Sequence, residues 1–163
     1  MDIQLKYQIL FSYHWYTNER LIDFAGNLSD YDYKMSSGYG NGSIHEIFSH
    51  ILRVDQAWRL SIGATKQHPP VDINDFPSIN LIKAGFDAEH REWDILLSKL
   101  SDEYIANNII IRNIKGKEYA FPCWRVLEHV ILHGMQHHAE ISQLLTAKGH
   151  SPSNIDFLFY RND

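Results

Sequence analysis

The sequence contains little that would anchor, cross-link or export it. One cysteine, Cys123, stands alone in 163 residues, so no internal disulfide can form. A solitary thiol fits a reducing compartment, and a cytoplasmic location is the expectation. No apolar run is long enough to span a membrane. The opening stretch MDIQLKYQIL has neither a basic leader nor a small-residue cleavage site, so no signal peptide is expected. Positive charge is also short: 15 Lys and Arg stand against 20 Asp and Glu, a formal net charge of -5. The basic residues are scattered and form no stripe of the kind that neutralises a phosphate backbone, so nucleic acid is not an expected partner. Internal repeats and low-complexity tracts are absent.

What is present suits one globular domain over residues 1–163. Hydrophobic residues make up 44% and charged residues 21%, a balance that can bury a core. Aromatics reach 13%. Trp15, Trp58, Trp93 and Trp124 could line a pocket, but at helical spacing they read more simply as core. Cys123 has the same two readings, a reactive thiol near a helix start or a small buried hydrophobe.

Periodicity predicts four long helices. The first covers about 4–27, with Leu5, Ile9, Leu10, Tyr13, Tyr16, Leu21 and Phe24 as its apolar stripe. A loop with three glycines in SSGYGNGS follows over 29–42. Ser43 with Glu46 forms a capping-box pattern that starts the second helix, about 44–62, and Gly63 stops it. The loop 67–78 contains three prolines. The third helix spans about 78–100 and turns Ile79, Ile82, Phe86, Trp93, Leu96 and Leu97 inward, with Gly85 weakening it slightly. Two short β-prone runs around Lys-Gly-Lys at 107–121 read as a hairpin-like excursion. Pro122 suits the first turn of the last helix, about 122–147, and Gly149 ends it. Ile155, Phe157, Leu158, Phe159 and Tyr160 form a final apolar cluster, expected to pack on the helices. The fold class expected is all-α: a four-helix bundle, with loops long enough for crossed rather than simple up-down connections.

Histidine is abundant, ten in all, and four crowd into ten residues: His129, His133, His137 and His138. In the last helix Val126, Val130, His133, His137, Ile141 and Leu144 step by four and three, which is one helical face. His133 and His137 therefore lie one turn apart on an inward stripe, and both can reach one metal ion. His50, beside Ile47, Ile51 and Val54, offers a third imidazole from a facing helix. Three imidazoles select zinc, nickel, copper or iron over magnesium or calcium and leave coordination positions open. The competing reading is that these are core histidines satisfied by neighbouring carbonyls. Two unpaired imidazoles on an apolar stripe are costly, and metal ligation would relieve that cost.

His129, one turn before His133, is a candidate fourth ligand, outer partner or proton shuttle. Glu140 could orient a ligand, act as general base, or simply pair with solvent at the helix flank. His138, about 100° round from His137, is expected on a flank or in solvent. His14, His45, His68, His90 and His150 show no partner pattern and read as surface or ordinary core.

Four stretches carry a family likeness: YHWYTNERLIDF at 13–24, SIHEIFSHILRVDQAWR at 43–59, VLEHVILHGMQHHAEISQLLTAKGHSP at 126–152, and IDFLFY at 155–160. Together they resemble the DinB-like, or YfiT-like, superfamily of metal-dependent enzymes, in an order that spans nearly the whole chain. The resemblance implies a four-helix bundle with crossed connections, frequent homodimers, and His50, His133 and His137 as ligands of one divalent metal, zinc or nickel foremost. Members often carry a His just before the last ligand and a small residue or Arg after it. Here Gln136 and His138 occupy those places, which leaves open a register with His138 as ligand. The activity implied is that of a thiol-cofactor-dependent S-transferase acting on a small molecule, the metal binding a low-molecular-weight thiol. The alternatives are a metal-dependent hydrolase that activates water, with Glu140 or His129 moving the proton, and a non-catalytic metal-binding stress protein.

Overall fold

The computed structural model describes residues 2–38, 40, 42–63, 72–112 and 115–161. His68 and part of the proline-bearing loop lie outside these residues. The described chain is mostly helical. Its helices are α1 (Ile3–Ala25), α2 (Asp30–Lys34), α3 (Ile44–Ile62), α4 (Ile79–Leu97), α5 (Asp102–Ala106) and α6 (Cys123–Ala147), with strands β1 (Asn108–Arg112) and β2 (Glu118–Pro122) between α5 and α6.

Local chemistry fixes these boundaries. The Ser43 hydroxyl accepts from the Glu46 backbone N–H at 3.2 Å, and a Glu46 carboxylate oxygen accepts from the Ser43 N–H at 2.7 Å. That reciprocal pair satisfies two of the donors a helix start leaves open. Gly149, at φ +81, turns the chain out of α6 so that the His150 N–H donates back to the Leu145 carbonyl. The strands pair antiparallel with Ile109 opposite Phe121 and Ile111 opposite Tyr119. Ile109 and Ile111 turn inward while Ile110 faces solvent, the two-residue period of a half-buried strand.

The short helix α2 falls inside the expected loop 29–42, and α5 lies between the expected third helix and the hairpin. Each is a single serine-capped turn or so, with Ser29 accepting from the Asp32 N–H and Ser101 from the Tyr104 N–H. Segments this short carry no apolar period, so pattern reading misses them. The apolar tail packs on α1 in part: Phe157 and Tyr160 set their rings against Tyr13 at 5.1 and 5.6 Å, and Tyr13 donates to the Ile155 carbonyl, whereas Leu158 is 84% exposed and Phe159 67%.

α1 packs against α4 and α6, and α3 packs against the same two helices. The core between them holds Trp93 stacked on Phe11 at 4.4 Å between centroids, with Phe48, Phe86, Leu127 and Val130 around it. The buried stripe of α1 is Tyr7, Phe11, His14, Asn18, Leu21 and Ala25, whereas Leu5 and Tyr16 of the expected stripe are exposed. Tyr13 and Leu21 of that expected stripe are buried and Leu10 and Phe24 pack on the core, while the polar His14 and Asn18 of the core face escaped an apolar pattern. Gly85 is a contact rather than a weakness, because a Cβ there would meet Phe76 and Leu52 side-chain atoms at 2.6 and 2.7 Å.

Gly134 is tighter than Gly85. A Cβ on it would come within 2.3–2.4 Å of the buried His14 ring. Alanine normally raises helix stability over glycine by about 1 kcal/mol. Gly134→Ala is expected to do the opposite and destabilise by roughly 1–3 kcal/mol through overpacking. Urea unfolding of the two proteins checks the sign.

Candidate metal centre

Three helical turns place the central side chains. His133 and His137 occupy successive turns of α6, and His50 faces them from α3. The Nε2 atoms of His50 and His133 lie 3.1 Å apart, and so do those of His133 and His137. The three ligand atoms all lie within 4.8 Å of one another. His137 is buried, while His50 and His133 are half-buried.

Protons decide what such a cluster can do. Burial, reinforced by His137 and His50, holds His133 down at about 4. Burial lowers His50 as well, with His137 and Arg53 adding to the effect. Both rings are therefore neutral at pH 7 and able to donate a lone pair. The Nδ1–H of His137 donates to Glu140 Oε2 at 2.8 Å, which fixes the tautomer and turns the Nε2 lone pair toward the other two rings. Three ring nitrogens facing one point cannot all be satisfied by the protons they share.

A metal ion fits this donor set. Nitrogens 2.0–2.1 Å from one tetrahedral zinc stand about 3.3 Å apart, close to the two observed spacings of 3.1 Å. An all-imidazole set is borderline-soft and suits zinc, nickel, copper or iron. Three protein donors leave positions open for another group.

A sequence model of the DinB family matches residues 1–163. The chain belongs to the DinB family. That family is metal-binding, in keeping with the three-histidine group found here. No curated protein matches the chain. Within this DinB-family chain, no described helix is long and apolar enough to cross a membrane.

The remaining sequence candidates separate cleanly. Glu140 sits beside the cluster as the partner of His137. His129 is exposed, its ring 5.9 Å from that of His133 and 5.3 Å from that of Trp58, and it lies outside the three-histidine group. His138 corrects the expectation of a flank or solvent position. It is fully buried and turned away from the cluster, and its Nε2–H donates to Asn18 Oδ1 at 2.8 Å. His14 is no ordinary core residue either, since its Nε2–H donates to the buried Asp55 at 2.9 Å. His45 reaches the Phe76 carbonyl, and His90 stacks on Trp15 at 5.2 Å. Cys123 is the inert alternative: burial pushes its thiol up to about 11.

Sequence reading overlooked Asp55, Asn18 and Gly134. The available signal was spacing, because Asp55 continues the Ile47, Ile51 step of four, and Asn18 follows His14 by four.

The lowered value of His133 has a consequence for stability. As pH falls, the unfolded chain takes up the proton near the ordinary 6.5, before the folded one does at about 4. The stabilisation is therefore fully present above pH 6.5 and is lost as pH falls through about 4. Chelator-treated protein is expected to show a lower urea midpoint at pH 5 than at pH 7.5. Equal midpoints would mean that the ring is not held neutral.

Proposed function

We propose that the protein is a divalent-metal-dependent enzyme of the thiol-dependent S-transferase type, acting on a small-molecule substrate. His50, His133 and His137 would hold the ion, zinc or nickel, and the observation that carries the reading is the commitment of Glu140 to His137. A hydrolase needs a base aimed at the attacking water. The carboxylate best placed for that duty is occupied with orienting a histidine, and His129 stands apart on the surface. Thiol transfer has no such requirement, because a bound transition-metal dication itself lowers the pKa of a thiol.

In this reading the chain's own residues supply the rest. Glu140 keeps His137 in one tautomer and one orientation. The neutral His50 and His133 need no proton removed before they donate. The half-buried rims of His50 and His133 give a low-molecular-weight thiol and its acceptor a route to the site.

The helix pairings, α1 and α3 each against both α4 and α6, support a four-helix bundle with crossed connections in which consecutive long helices α1 and α3 sit diagonally. The exposed Phe157, Leu158 and Phe159 support assembly as a homodimer. The solitary Cys123 supports a cytoplasmic setting.

Elemental mass spectrometry of purified wild-type and His137→Ala protein tests the metal. About one zinc or nickel per chain in the wild type, largely lost in the variant, is expected. A screen of metal-loaded protein with thiols and electrophiles then tests the reaction. Turnover of esters or amides without thiol would replace it with the hydrolase reading.

A further inference from the structure

A second polar cluster lies behind the three histidines. His14 and Asn18 on α1, Asp55 on α3 and His138 on α6 are all buried at 1% exposure or less. His14 donates to Asp55 at 2.9 Å, Asn18 Nδ2 lies 3.1 Å from the same His14 nitrogen, and His138 donates to Asn18 at 2.8 Å. Asp55 is the costly member. Among the described residues no lysine or arginine pairs with it, and its Oδ1 is buried without a hydrogen-bond partner. Burial holds its carboxyl above the usual range, with His14, His50 and His137 pulling the other way. A buried carboxylate of this kind is a poor way to stabilise a fold.

The cluster is interleaved with the candidate ligands. Asp55 follows His50 by five residues on α3. On α6, Gly134 follows His133 and admits the His14 ring, and His138 follows His137. Three neutral imidazoles bring no charge to a dication, so an ion held by them would leave two positive charges inside the helices. The buried carboxylate of Asp55, five residues beyond His50 on the same helix, would offset them.

We propose that Asp55 is the buried counter-charge of the metal site, a positioning residue that raises affinity for a divalent cation at His50, His133 and His137 without touching it. The inference rests on the metal reading of that site. It predicts opposite signs for two measurements. Removing the charge should weaken metal binding while relieving the apoprotein of a buried anion.

The test uses the full chain as wild type, Asp55→Asn and His14→Gln. Zinc affinity is measured by competition with a chromophoric chelator, and each apoprotein is melted in parallel. Asp55→Asn is expected to lose about 10–100-fold in zinc affinity, with an apoprotein Tm equal to or above wild type. His14→Gln disturbs the same packing but leaves the carboxylate, and should lose less. The proposal is overturned if Asp55→Asn binds zinc like wild type, if both variants lose affinity equally, or if the Asp55→Asn apoprotein melts lower or does not fold. A wild type that binds no zinc would remove the metal reading as well, whereas normal binding by wild type and Asp55→Asn alike would remove this inference alone.

Discussion

Convergence of three imidazoles inside a helical protein is the constraint around which the interior is organised. Two Nε2 contacts of 3.1 Å run from α3 to α6 and along α6. Burial and the neighbouring rings hold His50 and His133 below the ordinary imidazole range, and the Glu140 bond turns the His137 Nε2 lone pair toward the same point. Apolar packing gains nothing from this. Each ring displaces a side chain that could have contributed its full apolar area. The arrangement makes physical sense when the point they share is a coordination centre, and the Glu140 bond to His137 is the kind of outer support that such a centre uses.

The surrounding packing then follows. α6 must present two histidines on one side and still accept α1 on another. Gly134 makes room by letting the His14 ring lie against the α6 backbone. That ring in turn carries the bond to Asp55 on α3, while His138 ties α6 to Asn18 on α1. α3 and α6 are therefore joined by the histidine group, and the polar cluster behind it ties both of them to α1. Trp93 stacked on Phe11 sets the distance between α4 and α1. The hairpin and α5 cover the approach from α4 to α6, with Ile105, Ile109 and Ile111 completing the core there.

Much of this was legible in sequence because long helices advertise themselves through period. The span of α3 and its Ser43–Glu46 box follow directly from the residues, as do the hairpin around Lys-Gly-Lys and the turn at Gly149. The four-residue step that put His133 and His137 on one face needed no structure. Other features could not be read. Polar His14 and Asn18 sit on the buried face of α1, so an apolar pattern found Tyr13 and Leu21 but took in the exposed Leu5 and Tyr16 and passed over the polar part of the face. Asp55 looks like a solvated charge on any helix, and only its helical neighbours show it to be buried. Gly85 read as a weak point, and Gly134 drew no notice, because propensity sees the backbone, not the side chain or ring pressed against it. His138 was placed outside because its role depends on a third helix, α1, whose position no local pattern encodes.

The central claim is that one divalent ion is held by His50, His133 and His137. Anomalous diffraction from crystals of the zinc-loaded protein, collected on both sides of the zinc edge, tests it most directly. The account predicts a single strong peak about 2.0–2.2 Å from the Nε2 atoms of all three histidines. A peak held by His129 or by surface residues instead, with the three rings left uncoordinated, would contradict it.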